Sequence, residues 1–359
     1  MKTWRIYGAG DMRLDDVQMP ESKPGWVLVK IRMTQVAVTE VEYFHGFGGL
    51  VEKLLEEKSP RELFGHAICG DAVEVGEGVS HIKVGDRVIH HGRVTCNDCP
   101  LCFAGYEELF RKVPMMGIQI PGGLAEYVLL PAGSLISIPD TITDSEATAT
   151  QPAISTMGAV HLTGVEMGDT VVVLGQGSMG LNATQICRVC GAGKVIGVDV
   201  RDDTLAISSQ LGTDITINAR ETDPVEAVLE ITKGVGADIV FDCAGGSPKQ
   251  GLSSTKTIEQ AMRIVREGGK ISQIAVFEPD VKLDISPLVM RCIHYTGQGA
   301  TSWKMAQYTI DLVISKRLQL APLITHILEG LDKVPKAFEI TGNKVKYGAL
   351  NPAQVIVSK

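Results

Sequence analysis

Residues 171 to 200 read VVVLGQGSMGLNATQICRVCGAGKVIGVDV, and few local patterns leave a chain less conformational freedom. Four apolar residues, Val171 to Leu174, have the character of a parallel strand buried on both faces. Gly175, Gly177 and Gly180 then form G-x-G-x-x-G, and a helix-compatible run opens at Ser178 and Met179. A second apolar run, Val195 to Val198, ends on Asp199, 24 residues after Gly175. Each part has a physical task in holding a dinucleotide. Gly175 permits the tight turn, Gly177 lets the pyrophosphate approach the backbone, and Gly180 lets helix and strand pack closely. The helix start offers free N–H groups and positive potential to the phosphates. Asp199 can accept hydrogen bonds from the adenosine ribose and would repel the 2′-phosphate of NADP, so NAD is the expected cofactor. Arg201, two residues on, is the cation that keeps NADP open as an option.

The rest of the chain extends this nucleus into an α/β protein of two parts. With 359 residues, two hydrophobic cores are expected. Residues 1–150 read as β-rich. Trp26 to Arg32 alternates, with Val27, Val29 and Ile31 on one side, and Gly70–Gly76 and Asp86–Ile89 are further short strands between glycine-containing turns. Residues 151–297 alternate strands with helices: Val171–Leu174, Val195–Val198, Asp238–Phe241 and Lys270–Ala275. That rhythm is a doubly wound parallel sheet of the Rossmann type. Residues 298–359 return to a helix, Trp303 to Ser315, and a last strand, Gln354 to Ser358. The net charge of −8 argues against nucleic acid or an anionic membrane surface as partner. The first residues have no apolar signal-peptide core, and no run is long enough for a membrane span, so a cytoplasmic location is expected.

The chain resembles the medium-chain dehydrogenase/reductase superfamily, on its zinc-type alcohol, polyol and threonine dehydrogenase branch. The resemblance runs nearly end to end. It is carried by Gly65-His66, GDAVEVGEGVSHIKVGDRV at Gly70–Val88, GGLAEYVLLPAGSLISIPD at Gly122–Asp140, the glycine motif, FDCAGG at Phe241–Gly246, and PLITHILEGLDKVPKAFE at Pro322–Glu339. It implies a GroES-like catalytic domain joined to the Rossmann domain, with the cofactor in the cleft between them, and places Ala244 beside that cofactor. It implies hydride transfer between the nicotinamide and an alcohol.

The resemblance fails at the catalytic metal. A catalytic zinc needs three protein ligands from Cys, His and carboxylate, plus an open position. The family's G-I-C-G-S-D-x-H segment reads AVTEVEYFH at Ala37–His45, so Thr39 replaces the Cys, Val41 replaces a proton-relaying hydroxyl, and Glu42 keeps the acid. The family's G-H-E is Gly65-His66-Ala67, and its E-P dipeptide is Gln151-Pro152. Neutral Thr and Gln are poor zinc ligands, so no catalytic zinc is expected. A general base must then take the hydroxyl proton. His66 is the candidate from its family position, with Glu42 orienting it, and Thr39 and Gln151 binding substrate hydroxyls. Such a polar pocket suits a polyol, a sugar-derived alcohol or an amino-cyclitol.

Cys96, Cys99 and Cys102 have the spacing of a structural zinc lobe, but Phe110 stands where the family has a fourth Cys. Glu107, Glu108 or water would have to complete the site, and structural zinc stays open there. Cys187 and Cys190 are expected to be buried helix residues, and Cys69 and Cys243 core residues beside strands. A homodimer or homotetramer is expected. Two alternatives remain at this level: a zinc-free quinone or enoyl reductase, and a non-catalytic NAD(H)-binding protein.

Overall fold

The glycine motif leaves the sheet where a doubly wound fold would place it. In the computed structural model, which describes residues 1–92, 100, 115–244, 255–277, 282–297 and 302–358, six parallel strands form one sheet. Their order across it is Ile215–Asn218, Lys194–Asp199, Thr170–Leu174, Ala237–Asp242, Val265–Gln273, His294–Gly297. The chain starts at Thr170–Leu174, steps outward twice on one side, then returns to the other side at Ala237–Asp242. The order therefore reverses at the C-terminal ends of these two strands, the switch point at which open α/β sheets bind ligands. Val171 to Leu174 are at most 1% exposed, as a strand covered on both faces requires. Helices Ser178–Cys190, Asp202–Gln210, Pro224–Ile231 and Lys256–Ile264 lie between the strands in sequence.

The other unit is built on a mostly antiparallel sheet. Strand Trp26–Gln35 pairs with Ala67–Val75, Tyr127–Pro131 and Gln354–Ile356, and Ala67–Val75 pairs in turn with Arg87–His90. The last strand, Gln354–Ile356, closes against Met33–Gln35, which ties the chain's C-terminal region into the N-terminal sheet. Val27, Val29 and Ile31 are fully buried, as the alternation predicts, but Leu28 on the opposite side is also buried, because this strand is covered on both faces.

By contact density, one unit comprises Met1–Ile154, Thr301–Ile314 and Leu320–Lys359, and the other Ser155–Ala300 and Ser315–Gln319. The C-terminal return is thus interrupted: Ser315–Gln319 goes with the parallel-sheet unit, where the Gln319 N–H donates to the Gln185 side chain at 2.8 Å. The first boundary falls inside the helix Asp144–Thr163. Among the described residues no helix is long and apolar enough to cross a membrane.

Candidate active site

His66 is delivered by an unusual stretch of backbone. It directly precedes the strand Ala67–Val75, and the two residues before it, Phe64 and Gly65, both have positive φ, 70° and 78°. At Gly65 a Cβ would lie 2.6 Å from the Leu124 nitrogen, so only glycine fits. Phe64 holds a backbone conformation that costs an L-residue on the order of 1–3 kcal/mol. Its ring is buried between Phe44 and Phe338, at centroid distances of 6.4 and 6.0 Å, and its N–H donates to the Gly117 carbonyl at 2.7 Å. Packing thus over-determines the turn that aims His66.

The group that meets His66 is Glu40. It sits in the first turn of the helix Val38–Phe44 and is 3% exposed. Its Oε2 accepts the Ala37 N–H at 3.0 Å, folding the side chain back over the helix start. Its Oε1 accepts from the Gly65 N–H at 2.7 Å, the His66 N–H at 3.1 Å and the ring Nδ1 at 2.6 Å. A carboxylate only accepts, so this contact puts a proton on Nδ1 and leaves Nε2 as the basic nitrogen. The side chain of Gln151, from the helix Asp144–Thr163, also hydrogen-bonds the ring. Burial opposes the imidazolium, but the charge and hydrogen bond of Glu40, with the bond from Gln151, outweigh it and raise His66 above its ordinary pKa. Its side chain is 27% exposed.

This corrects the role expected of Glu42. Residues two apart on a helix project about 200° from one another, and the carboxylate bonded to the ring is that of Glu40. Glu42 is buried further along the helix, and its charge acts on Tyr43, whose pKa is raised by burial first and Glu42 second. Thr39 is half-buried, one position before Glu40. The sequence signal for Glu40 was its place three residues after Ala37, the capping-box spacing, which sequence comparison alone does not connect to a histidine 26 residues away. Two more histidines lie behind His66. His90 Nδ1 bonds the His66 carbonyl at 3.0 Å, and His91 Nε2 the Gly133 carbonyl at 3.0 Å.

Among the described residues no three His, Cys, Asp or Glu side chains gather as a metal site, and the groups on His66, one carboxylate and one amide, do not fit a catalytic zinc. Cys96, Cys99 and Cys102 lie outside the described residues. Cys187 and Cys69 are buried as expected, and Cys243 is half-buried, but Cys190 is exposed because it ends its helix beside Gly191.

The residues expected to hold a dinucleotide lie together in the parallel-sheet unit. Gly175 has φ of 87°, and a Cβ there would lie 2.7 Å from that of Ala244, which brings Ala244 against the glycine turn. A Cβ on Gly180 would lie 1.8 Å from the Gly175 carbonyl oxygen. Gly177 is the extended N-cap of the helix Ser178–Cys190 and gives it no side-chain cap, so first-turn N–H groups stay available to an anion. Ser178 Oγ is buried and meets no partner among the described residues, an orphaned donor at a helix start. Beside it Met179 accepts a weak 3.7 Å contact from the Thr156 hydroxyl. Asp199 Oδ2 accepts the Gln176 N–H at 2.6 Å, and Oδ1 the N–H groups of Val200 and Arg201 at 2.7 and 3.0 Å. The carboxylate is therefore locked to the glycine loop. One further group escaped sequence reading: Asp242, fully buried at the switch point, accepts the Ala244 N–H at 3.1 Å, and burial pushes its carboxyl up to about 6. These features fit a nicotinamide dinucleotide.

Comparison with known proteins places the chain. Residues 178–315 match the zinc-binding dehydrogenase family, and residues 23–140 the alcohol dehydrogenase GroES-like domain family. An L-threonine 3-dehydrogenase from Pyrococcus abyssi is 30% identical over 343 residues, covering 95% of this chain and 94% of that protein. The chain belongs to the medium-chain dehydrogenase/reductase superfamily, on its zinc-type branch. As a member it is an oxidoreductase of the alcohol dehydrogenase kind that uses a nicotinamide cofactor. An oxidoreductase/dehydrogenase of unknown specificity from Escherichia coli matches with a TM-score of 0.88 at 27% identity, over 100% of this chain and 99% of that one. A Sinorhizobium meliloti protein solved with bound NADP matches with a TM-score of 0.85 at 27% identity, over 99% and 98%.

Proposed function

We propose that this dehydrogenase oxidises a secondary hydroxyl on a polar, polyhydroxylated or amino-bearing substrate with NAD, without a catalytic zinc, and with His66 as proton acceptor. The observation that carries the reading is the 2.6 Å contact of Glu40 with His66 Nδ1. An imidazole held by a buried carboxylate is the arrangement of a general base oriented by a third group. Glu40 keeps the proton on Nδ1, so the Gln151 contact falls on Nε2, where an arriving substrate hydroxyl would take the place of the amide. When Nε2 takes that proton, the imidazolium is stabilised by the same carboxylate. The Gln151 amide, once displaced from Nε2, can bond a neighbouring substrate hydroxyl, as could Thr39. The bound cofactor supplies the hydride acceptor for the carbinol hydrogen. Ser178 and the first-turn N–H groups would hold its pyrophosphate, and Asp199 its adenosine ribose.

Several features support the finer points. Neutral Gln151 on a carboxylate-bound His66, with neutral Thr39 at the family's Cys position, favours a metal-free reaction over Lewis-acid catalysis. Asp199 favours NAD, although the Sinorhizobium meliloti relative carries NADP. Polyols, sugar-derived alcohols and amino-cyclitols suit the polar residues; L-threonine, the substrate named for the Pyrococcus abyssi relative, likewise carries a secondary hydroxyl among polar groups. Self-association as a homodimer or homotetramer is supported by the sheet's outer strand His294–Gly297, which pairs on one side among the described residues, and by exposed Val289 and Met290 before it.

The test is a substrate screen followed by His66→Ala. NADH formation should appear with a member of this class in metal-free buffer. His66→Ala should then lower kcat by about 10²–10⁴, the usual worth of a general base, with NAD affinity unchanged. Near wild-type turnover by His66→Ala would place the base elsewhere, with Tyr43 or a water chain next to test.

A further inference from the structure

The loop after Asp199 carries a second acid whose partner is the cation at the cofactor position. Arg201 is the N-cap of the helix Asp202–Gln210, and its N–H is bonded to Asp199 Oδ1. Its guanidinium forks onto Asp203. Nε donates to Oδ1 at 2.9 Å, and a terminal nitrogen donates to Oδ2. The Arg201 side chain is 14% exposed, so it is laid down against the protein rather than extended into solvent. The pair is fastened to the first helical turn: Asp203 Oδ1 also accepts the Thr204 N–H at 3.0 Å, and the Arg201 carbonyl accepts the Thr204 hydroxyl at 2.8 Å. The hydrogen bond from Arg201 is the main reason the Asp203 carboxyl is held below its usual range.

A 2′-phosphate is recognised best by a guanidinium that offers its fork of N–H donors to the phosphate oxygens. Here that fork is already filled by a carboxylate. We propose that Asp203 sets cofactor selectivity by holding the Arg201 guanidinium on itself, so that the cation is withheld from the 2′-phosphate of NADP. This rests on reading Asp199 as the ribose acceptor and NAD as the cofactor. Selectivity then has two parts. Asp199 repels a phosphate at the ribose, and Asp203 neutralises the residue that would otherwise attract it. Release of the pair should open the site to NADP(H) even with Asp199 in place.

The experiment is direct binding of NADH and NADPH to the purified full chain, by calorimetry or cofactor fluorescence, in the wild type, Asp203→Asn, Asp203→Ala and the Arg201→Gln, Asp203→Asn double variant. The ratio of the NADPH Kd to the NADH Kd should fall about tenfold or more in both single variants, the worth of one charge-assisted contact. It should return to the wild-type ratio or above in the double variant. An unchanged ratio in both single variants overturns the proposal. So does a double variant that keeps the gain, since Asp203 would then act only as a negative charge. A wild type that binds NADPH more tightly than NADH overturns the NAD reading itself, a separate failure.

Discussion

Glu40→Gln separates the charge of the carboxylate from its shape. A Gln Oε1 can still accept from the Gly65 N–H, the His66 N–H and the ring Nδ1–H, which now lie 2.7, 3.1 and 2.6 Å from Glu40 Oε1. The amide nitrogen would instead face the Ala37 N–H, which at present donates to Oε2 at 3.0 Å. Two donors then oppose each other and the cap is lost, a stability cost of about 0.5–2 kcal/mol. A hydrogen bond to a charged group contributes about 1.5–3 kcal/mol, against about 0.5–1.5 kcal/mol for a neutral pair. The difference, about 1–2 kcal/mol, falls on the imidazolium that forms as the hydroxyl proton moves. It corresponds to a loss in kcat of about 5–30-fold. Direction in pH follows as well. With His66 as the proposed proton acceptor, neutral imidazole is the form that reacts, so wild-type rates should rise with pH through a midpoint above the ordinary histidine value, because Glu40 raises His66. Removing that charge should move the acid limb of kcat/KM to lower pH. The assay is NADH absorbance at saturating cofactor across pH, with a thermal melt to confirm folding. If kcat and the acid-limb midpoint both stay at wild-type values, Glu40 has no part in the proton transfer.

Acid should destabilise the protein early. Burial lowers His90 to about 3 and His91 to about 4, from an ordinary 6.5, so both are neutral when folded and bind protons on unfolding. Their stabilisation is present above about pH 6.5 and is lost as pH falls toward 4, at up to about 1.4 kcal/mol per pH unit for each; a urea midpoint that stays flat between pH 7 and 5 would contradict this. Asp199→Ser should weaken NAD binding by about 1–3 kcal/mol in calorimetry, both by losing the ribose contacts and by freeing the glycine loop. Elemental analysis should give at most one zinc per chain, at Cys96, Cys99 and Cys102; a value near two, or activity lost to a chelator and restored by zinc, would overturn the metal-free pocket.

Much of the cofactor half was readable in the chain because its determinants are local. A strand, a turn that needs φ > 0 at Gly175, a helix start and an acid at the next strand end are all set by neighbours within 30 residues. Sterics account for Gly175, whose turn lies against Ala244, and for Gly180, which packs on the Gly175 carbonyl. Even so, the Arg201–Asp203 fork was not legible, since adjacent side chains can point together or apart until the helix start orients them.

The arrangement around His66 was decided by tertiary structure. The sequence supplied His66 and an acidic pair two residues apart, Glu40 and Glu42. Which of the two reaches the ring depends on the turn at Phe64–Gly65, on the aromatic packing of Phe44, Phe64 and Phe338, and on a helix that begins at Val38 so that Glu40 folds back over its own N-terminus. Sequence spacing carries no information on a contact between residues 26 apart unless the intervening backbone path is known. A helix turns about 100° per residue, so the choice between Glu40 and Glu42 amounts to half a turn, and only the folded backbone makes it.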